Sequence, residues 1–315
     1  MKKVLFIIVV LFLSQVFQAR TLKEIIDSGY LIIGIRNLRT STIYQPENKE
    51  NPGFCYELAK TYADYLNVKL KVHIVNLFSD YWKKDGELIF KSDKNVTPDI
   101  YNKVDIVADI ITVTDKRKKY VNMIPFAENT ELLFGRKESN IKKYEDLKGK
   151  KVLLLESMSF YTIFIDELKK RSIRYGFNKV YFEKDNSLHY FEKNNVFFKD
   201  KVNILLIPQD YTIPKFGFYY QVLLKNTDVS ILDSFSFFPK WFNTYSLKEN
   251  LKPLFPERDK IGYLSFCTSY ETKELNKSLS NFISFMKKTD KYNLLFEKYI
   301  GIGYNDYKNI LNVGD

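Results

Sequence analysis

An ordered alternation of apolar runs constrains this chain more than any other feature. Residues 30–35 (YLIIGI) are β-branched and apolar, and read as a buried strand. A polar loop through Pro46, Asn48 and Pro52 follows. Gly53-Phe54 then opens a helix whose Leu58, Ala59, Tyr62, Ala63 and Leu66 fall at helical spacing. Asn67 ends that helix, and residues 68–75 alternate as a second strand. Strand, helix and strand joined by short loops form the unit of a parallel sheet. A short helix at 21–28, with Leu22, Ile25 and Ile26 on one face, precedes it.

The pattern then recurs. Residues 79–102 are largely polar and contain Asp85-Gly86, so they read as a partly irregular excursion. Residues 104–110 return to the sheet, and Thr114 is expected to N-cap a short helix ahead of Asp115. Leu132-Leu133-Phe134 begins another strand, and residues 150–155 start a second α/β unit with a helix at 159–170 and strands at 179–182 and 202–207. A strand at 261–267 and helices at 271–287 and 291–299 close the chain. No Gly/Ser linker or shift of composition separates two beads. The expectation is therefore one lobe embedded in another: residues 20–127 plus 256–315 as lobe one, and 128–255 as lobe two.

The chain's start bears on its compartment. Met1-Lys2-Lys3 is a short basic start, Val4 to Leu13 is unbroken and apolar, and Ser14, Gln15 and Gln18 follow. This is the pattern of a secretory signal peptide, shorter than the roughly 20 residues that span a bilayer. A signal peptide over residues 1–19, cleaved after Ala19, is expected. Phe17 is large where a small residue is preferred, so an uncleaved membrane anchor is the alternative. No Cys follows the apolar run, which argues against a lipoprotein. The destination is the periplasm or the exterior.

Composition narrows the function classes. The net charge of +11 invites a nucleic-acid reading, but Lys and Arg run from Lys2 to Lys308 with acidic residues mixed among them. No basic stripe forms, and nucleic acid is not an expected partner. Two cysteines, Cys55 and Cys267, cannot build a disulfide scaffold or a four-cysteine zinc site, and are read as two buried thiols. Two histidines, His73 and His189, leave little for a metal centre, so no metal or cofactor is expected. The sequence contains no G-x-S-x-G, H-E-x-x-H, Walker A or G-x-G-x-x-G motif.

Three motifs carry a resemblance. Val104-Asp105-Ile106, followed by Ile111-Thr112-Val113-Thr114-Asp115-Lys116-Arg117, leads to an apolar-Pro-Phe turn at Ile124-Pro125-Phe126. Residues 145–152 (EDLKGKKV) open the second unit, and Lys298-Tyr299-Ile300-Gly301 ends the last helix. In this order they resemble the family 3 extracellular solute-binding proteins. The resemblance implies an α/β, type 2 periplasmic binding protein fold, with two α/β lobes around a ligand cleft. Gly34-Ile35-Arg36-Asn37, residues 40–44 (TSTIY), and Gly53-Phe54 with residues 56–60 (YELAK) are similar to the binding module of membrane-bound lytic transglycosylases. About a dozen residues follow Gly303, so a stand-alone module without the lysozyme-like domain is expected.

The same resemblance suggests site residues. Arg117 matches the family's arginine that grips a ligand carboxylate, and a planar guanidinium fork suits that group. Thr112 matches a hydroxyl that donates to the same carboxylate, and the backbone at Ile110 would meet the ligand's amino group. Asp109 stands where small residues are usual, which would narrow the cleft. In lobe two, Ser159 falls at a helix start, where hydroxyl and amide groups suit an anion; a bland helix cap is the competing reading. Asp210 lies one or two residues beyond the family's ammonium-binding aspartate. Arg36 and Arg39 replace the usual acidic and aromatic residues and favour an anionic or multi-carboxylate ligand, unless they point to solvent or pair with Glu47 and Glu50. Tyr44 can stack on a ligand or pack on Pro46.

These readings converge on an exported, monomeric protein that closes hinge-fashion on a small carboxylate-bearing ligand, an amino acid, peptide or cell-wall fragment. It would then signal to an ABC permease or a membrane sensor. Binding, not catalysis, is expected. A peptidoglycan-associated modulator and a cleft enzyme of the dehydratase type are the alternatives.

Overall fold

The computed structural model describes residues 19–38, 40–91, 96–156, 158–183, 185–193, 195–208, 211, 213–214, 216–256 and 261–312. The expected signal sequence, apart from Ala19, lies outside the described residues, as do Arg39 and Asp210. The helix Leu22–Ser28 opens on a capping box, in which Thr21 accepts from the Glu24 amide and the Glu24 carboxylate accepts from the Thr21 amide. β1 (Tyr30–Arg36) follows, and the helix Phe54–Tyr65 returns the chain to β2 (Lys69–Val75), parallel to β1 from Tyr30 opposite Lys69 to Arg36 opposite Val75. The polar excursion contains short 3-10 turns at Phe78–Trp82, Ile89–Lys91 and Asp99–Asn102. Between them lies a small hairpin of β3 (Lys83–Lys84) and β4 (Glu87–Leu88). β5 (Ile106–Thr112) joins the other side of β1, and a single helical turn, Asp115–Lys118, leads into β6 (Asn122–Asn129).

The chain continues through β7 (Glu131–Arg136), β8 (Lys151–Leu155), the helix Ser159–Lys170, β9 (Tyr175–Phe182), β10 (Leu188–Tyr190) and β11 (Val202–Ile207). Next come the helix Gly217–Leu223, β12 (Val229–Asp233), the helices Ser234–Asn243 and Tyr245–Asn250, and β13 (Leu251–Pro256). β14 (Gly262–Thr268) and the helices Lys273–Met286, Asp290–Ile300 and Tyr304–Asn312 complete it. One sheet has the order β2-β1-β5-β14-β6, and the other β10-β9-β11-β8-β12-β7-β13.

The chain divides into two compact units. Unit 1 takes Met1–Phe126 and Ser265–Met286, and unit 2 takes Ala127–Leu264 and Lys287–Asp315. In unit 1, Tyr81, Trp82, Tyr101, Val107, Ile111 and Cys267 form one buried cluster. A second contact set runs from Phe54 through Phe126 to Phe266, with ring centroids 5.8 and 4.9 Å apart. In unit 2 every residue of β11 is buried, as expected for a central parallel strand, and Phe160, Phe164 and Leu168 of the helix Ser159–Lys170 belong to the same core.

Two expectations need correction. Residues 287–315 do not belong with lobe one; the last two helices pack on unit 2's own helix Ser234–Asn243. Phe296 meets Phe235 at 5.7 Å, and the Tyr307 hydroxyl lies 2.8 Å from Ser234 Oγ while donating to the Glu128 carbonyl at 2.9 Å. Tyr304 donates to the Glu128 carboxylate at 2.7 Å. Ile124-Pro125-Phe126, expected as a turn, lies inside β6. Pro125 is tolerated there because β6 is the last strand in its sheet order and its missing N–H deprives no further strand. Cys55 and Cys267 are both buried and free.

Gly53 starts the helix Phe54–Tyr65 at φ 122°, with the Ile43 carbonyl 2.4 Å from where a Cβ would sit. That approach lets the Ser41, Thr42 and Ile43 carbonyls accept from the Phe54, Cys55 and Tyr56 amides at 2.8, 3.2 and 3.3 Å. Gly53→Ala should cost about 1–3 kcal/mol in urea unfolding; an unchanged midpoint would show that the close approach is not a constraint.

Candidate functional site

The site begins with a carboxylate inside a strand. Asp109 lies in the middle of β5 and is 0% exposed, so its charge must be met from within the protein. Arg36, the last residue of neighbouring β1, meets it with a fork: Nε donates to Oδ2 at 2.7 Å and Nη2 to Oδ1 at 2.9 Å. The Tyr81 hydroxyl donates to Oδ2 at 2.8 Å, and the Ile110 amide to Oδ1 at 2.7 Å. Burial alone would lower the Arg36 pKa, but the Asp109 carboxylate outweighs it and raises the value overall. Burial, reinforced by the Asp109 charge, raises the Tyr81 pKa.

Arg117 is placed by the turn beyond β5. Thr114 caps the helix Asp115–Lys118 by accepting from the Arg117 amide at 3.2 Å, and the Arg117 side chain folds back to donate from Nη1 to the Thr112 carbonyl at 2.8 Å. Its Cζ lies 5.1 Å from the centroid of Phe78 and 5.4 Å from that of Trp82. Arg36 Cζ lies 5.0 Å from the same Phe78 ring, so one aromatic ring serves both guanidiniums. Among the described residues Arg117 makes no carboxylate ion pair, and its Nε and Nη2 have no acceptor. Burial lowers the Arg117 pKa to about 10, the Cys267 thiol works against that shift and the Arg36 charge adds to it. Burial pushes the Cys267 thiol up to about 12, so at neutral pH it is uncharged. Arg36 and Thr112 end parallel strands β1 and β5, and the carboxyl ends of such strands are where α/β sheets place ligands.

The predicted residues divide accordingly. Arg117, Thr112, Ile110 and Arg36 come together in unit 1. Thr112 is buried and offers its carbonyl to Arg117. The Ile110 amide is engaged by Asp109, not open to a ligand. Arg36 is not an extra free cation, because its charge is matched by Asp109. Tyr44 stacks on Tyr56 at 4.9 Å and 20°, a partner that differs from both earlier readings. Ser159 is the first residue of the helix Ser159–Lys170, with Met158 at the N-cap. Phe78, Tyr81 and Trp82 were not anticipated. Their i, i+3, i+4 spacing is a helical signal that starts at Phe78 and runs into the stretch 79–102 set aside as polar.

Residues 94–302 match the family described as bacterial extracellular solute-binding proteins, family 3. The membrane-bound lytic murein transglycosylase F of Shewanella oneidensis is 28% identical over 194 residues, which is 59% of this chain and 36% of that protein. The chain thus matches only about a third of the length of these curated relatives. The L-cystine solute receptor of Neisseria gonorrhoeae, in its unliganded open conformation, superposes over 90% of this chain and 98% of its own at a TM-score of 0.57 and 15% identity. An ancestral amino acid-binding protein, a precursor of cyclohexadienyl dehydratase, covers 89% and 99% at a TM-score of 0.55 and 20% identity. Such likeness carries the fold alone, the mixed α/β architecture of type 2 periplasmic binding proteins. Among the described residues no helix is long and apolar enough to cross a membrane.

Asp109→Ala leaves the Arg36 guanidinium without its partner and should cost about 3–5 kcal/mol in urea unfolding. Arg36→Met combined with Asp109→Leu should recover most of that loss. Simple additivity of the two single changes would show that the pair is not coupled.

Proposed function

Because the chain belongs to family 3 of the bacterial extracellular solute-binding proteins, we propose that it captures a small carboxylate-bearing ligand through Arg117. One observation carries this reading: a half-buried cation, held by a carbonyl and two aromatic rings, with no carboxylate partner among the described residues. Leaving such a charge unmatched is costly, and a ligand carboxylate meets Nε and Nη2 with two parallel hydrogen bonds. Thr112 is the companion contact in this reading. Ser159 and Asp210 are unit 2's contributions on hinge closure, and only differential affinity for the closed form can drive that step. Delivery to an ABC permease or membrane sensor by an exported monomer completes the proposal. The likeness to lytic murein transglycosylases favours a second reading, in which the ligand is a cell-wall fragment and the partner a peptidoglycan enzyme.

A thermal-shift panel of amino acids, dicarboxylates, peptides and muropeptides tests both readings. A ligand at 100 times its Kd should add about 2.7 kcal/mol of stability, and Arg117→Ala should abolish the gain. Equal stabilisation of wild type and variant would reject Arg117 as the carboxylate site. A hit confined to muropeptides would select the cell-wall reading, and steady product formation would replace binding with catalysis.

A further inference from the structure

We infer that Arg36 is a specificity-determining residue: as an internal cation it occupies the Asp109 carboxylate and closes it to a ligand's ammonium group. The Arg117 site then favours carboxylates whose neighbouring nitrogen is acylated, as in N-acyl amino acids and the C-terminal residue of a peptide, over free α-amino acids. This inference rests on the reading of Arg117 as the carboxylate site.

Asp109 and Arg117 belong to one corner of unit 1. Asp109 stands three residues before Thr112, whose carbonyl holds Arg117. Arg36 and Arg117 approach the same Phe78 ring, at 5.0 and 5.1 Å. The Cys267 thiol feels the charges of both Arg117 and Asp109. A free carboxylate at this position, beside an arginine, would suit a zwitterion, whose ammonium and carboxylate are two bonds apart on one carbon.

That carboxylate is not free. A carboxylate offers about four lone-pair positions. Arg36 Nε and Nη2, the Tyr81 hydroxyl and the Ile110 amide supply a donor to each. The Arg36 side chain is 15% exposed and Asp109 is 0% exposed, so the guanidinium lies on the solvent side of the carboxylate. An incoming ammonium would have to displace a two-point charged contact, and it would meet the Arg36 charge first. With Arg36 and Asp109 cancelling each other, Arg117 presents a single positive charge. A monoanion matches that charge, whereas a zwitterion's ammonium finds the Asp109 carboxylate already taken.

Calorimetric titration of the full chain with matched pairs, each common L-amino acid against its N-acetyl derivative, tests the inference. Wild type should bind the N-acetyl member of the binding pair at least about tenfold more tightly. Arg36→Gln frees Asp109 and should swing that ratio towards the free amino acid by about tenfold or more. Arg36→Gln with Asp109→Asn removes both charges and should leave the N-acetyl preference in place, a readout available even if the single variant fails to fold. A wild-type preference for free amino acids overturns this inference and leaves carboxylate capture standing. A double variant that prefers free amino acids overturns it as well. No binding of either series overturns carboxylate capture itself, and this inference with it.

Discussion

A carboxylate buried in the middle of a strand organises unit 1. Asp109 is 0% exposed, and four donors from three residues converge on its carboxylate. Arg36 brings the end of β1, Tyr81 brings the 3-10 turn at Phe78–Trp82, and Ile110 contributes from β5 itself. The ion pair therefore does more than tie two strands. It docks the polar excursion onto the sheet, and with it the rings of Phe78 and Trp82 on which Arg117 rests. The rings of Phe78 and Trp82 are also held by packing in the buried cluster around Tyr81, Tyr101 and Ile111.

A second polar network does the corresponding work in unit 2. Glu128 accepts from Tyr304 at its carboxylate and from Tyr307 at its carbonyl, and Lys287 lies 3.4 Å from the same carboxylate. Ser234 donates to Asn129 Oδ1 at 3.0 Å and accepts from the Thr130 amide at 3.2 Å. Burial lowers the Lys287 pKa, and Glu128 opposes that shift. The residues just after the chain enters unit 2 are thus fastened to Lys287 and the last helix, which accords with their grouping in unit 2 and not with the lobe in which the chain began.

How far the sequence was legible follows the same physics. β11 and the strand at 30–35 were readable because burial on both faces leaves an unbroken apolar run. The helix at Phe54 was readable from Gly53 and its apolar face. Edge strands hid themselves: Pro125 in β6 and Pro253 and Pro256 in β13 suggest turns, yet both strands end their sheet orders, where proline is tolerated. The β13 register shifts between Pro253 and Phe255, which weakens its alternation further. At the site, the N-cap Thr114 was legible from local sequence, whereas Arg117 was singled out only by the family resemblance. The fate of Arg36 was not legible, because its partner Asp109 lies 73 residues away and no local rule pairs them.

In the proposed function, two arginines on one phenylalanine have opposite roles, Arg36 matched from within and Arg117 open to an anion. Arginine Nε–Hε NMR signals, assigned by substitution and followed while a bound carboxylate ligand is titrated in, separate the two directly. The Arg117 signal is expected to move with saturation, while the Arg36 signal stays protected from exchange and nearly unshifted. An Arg36 signal that moves as far as that of Arg117, or an Arg117 signal that does not respond, would contradict it.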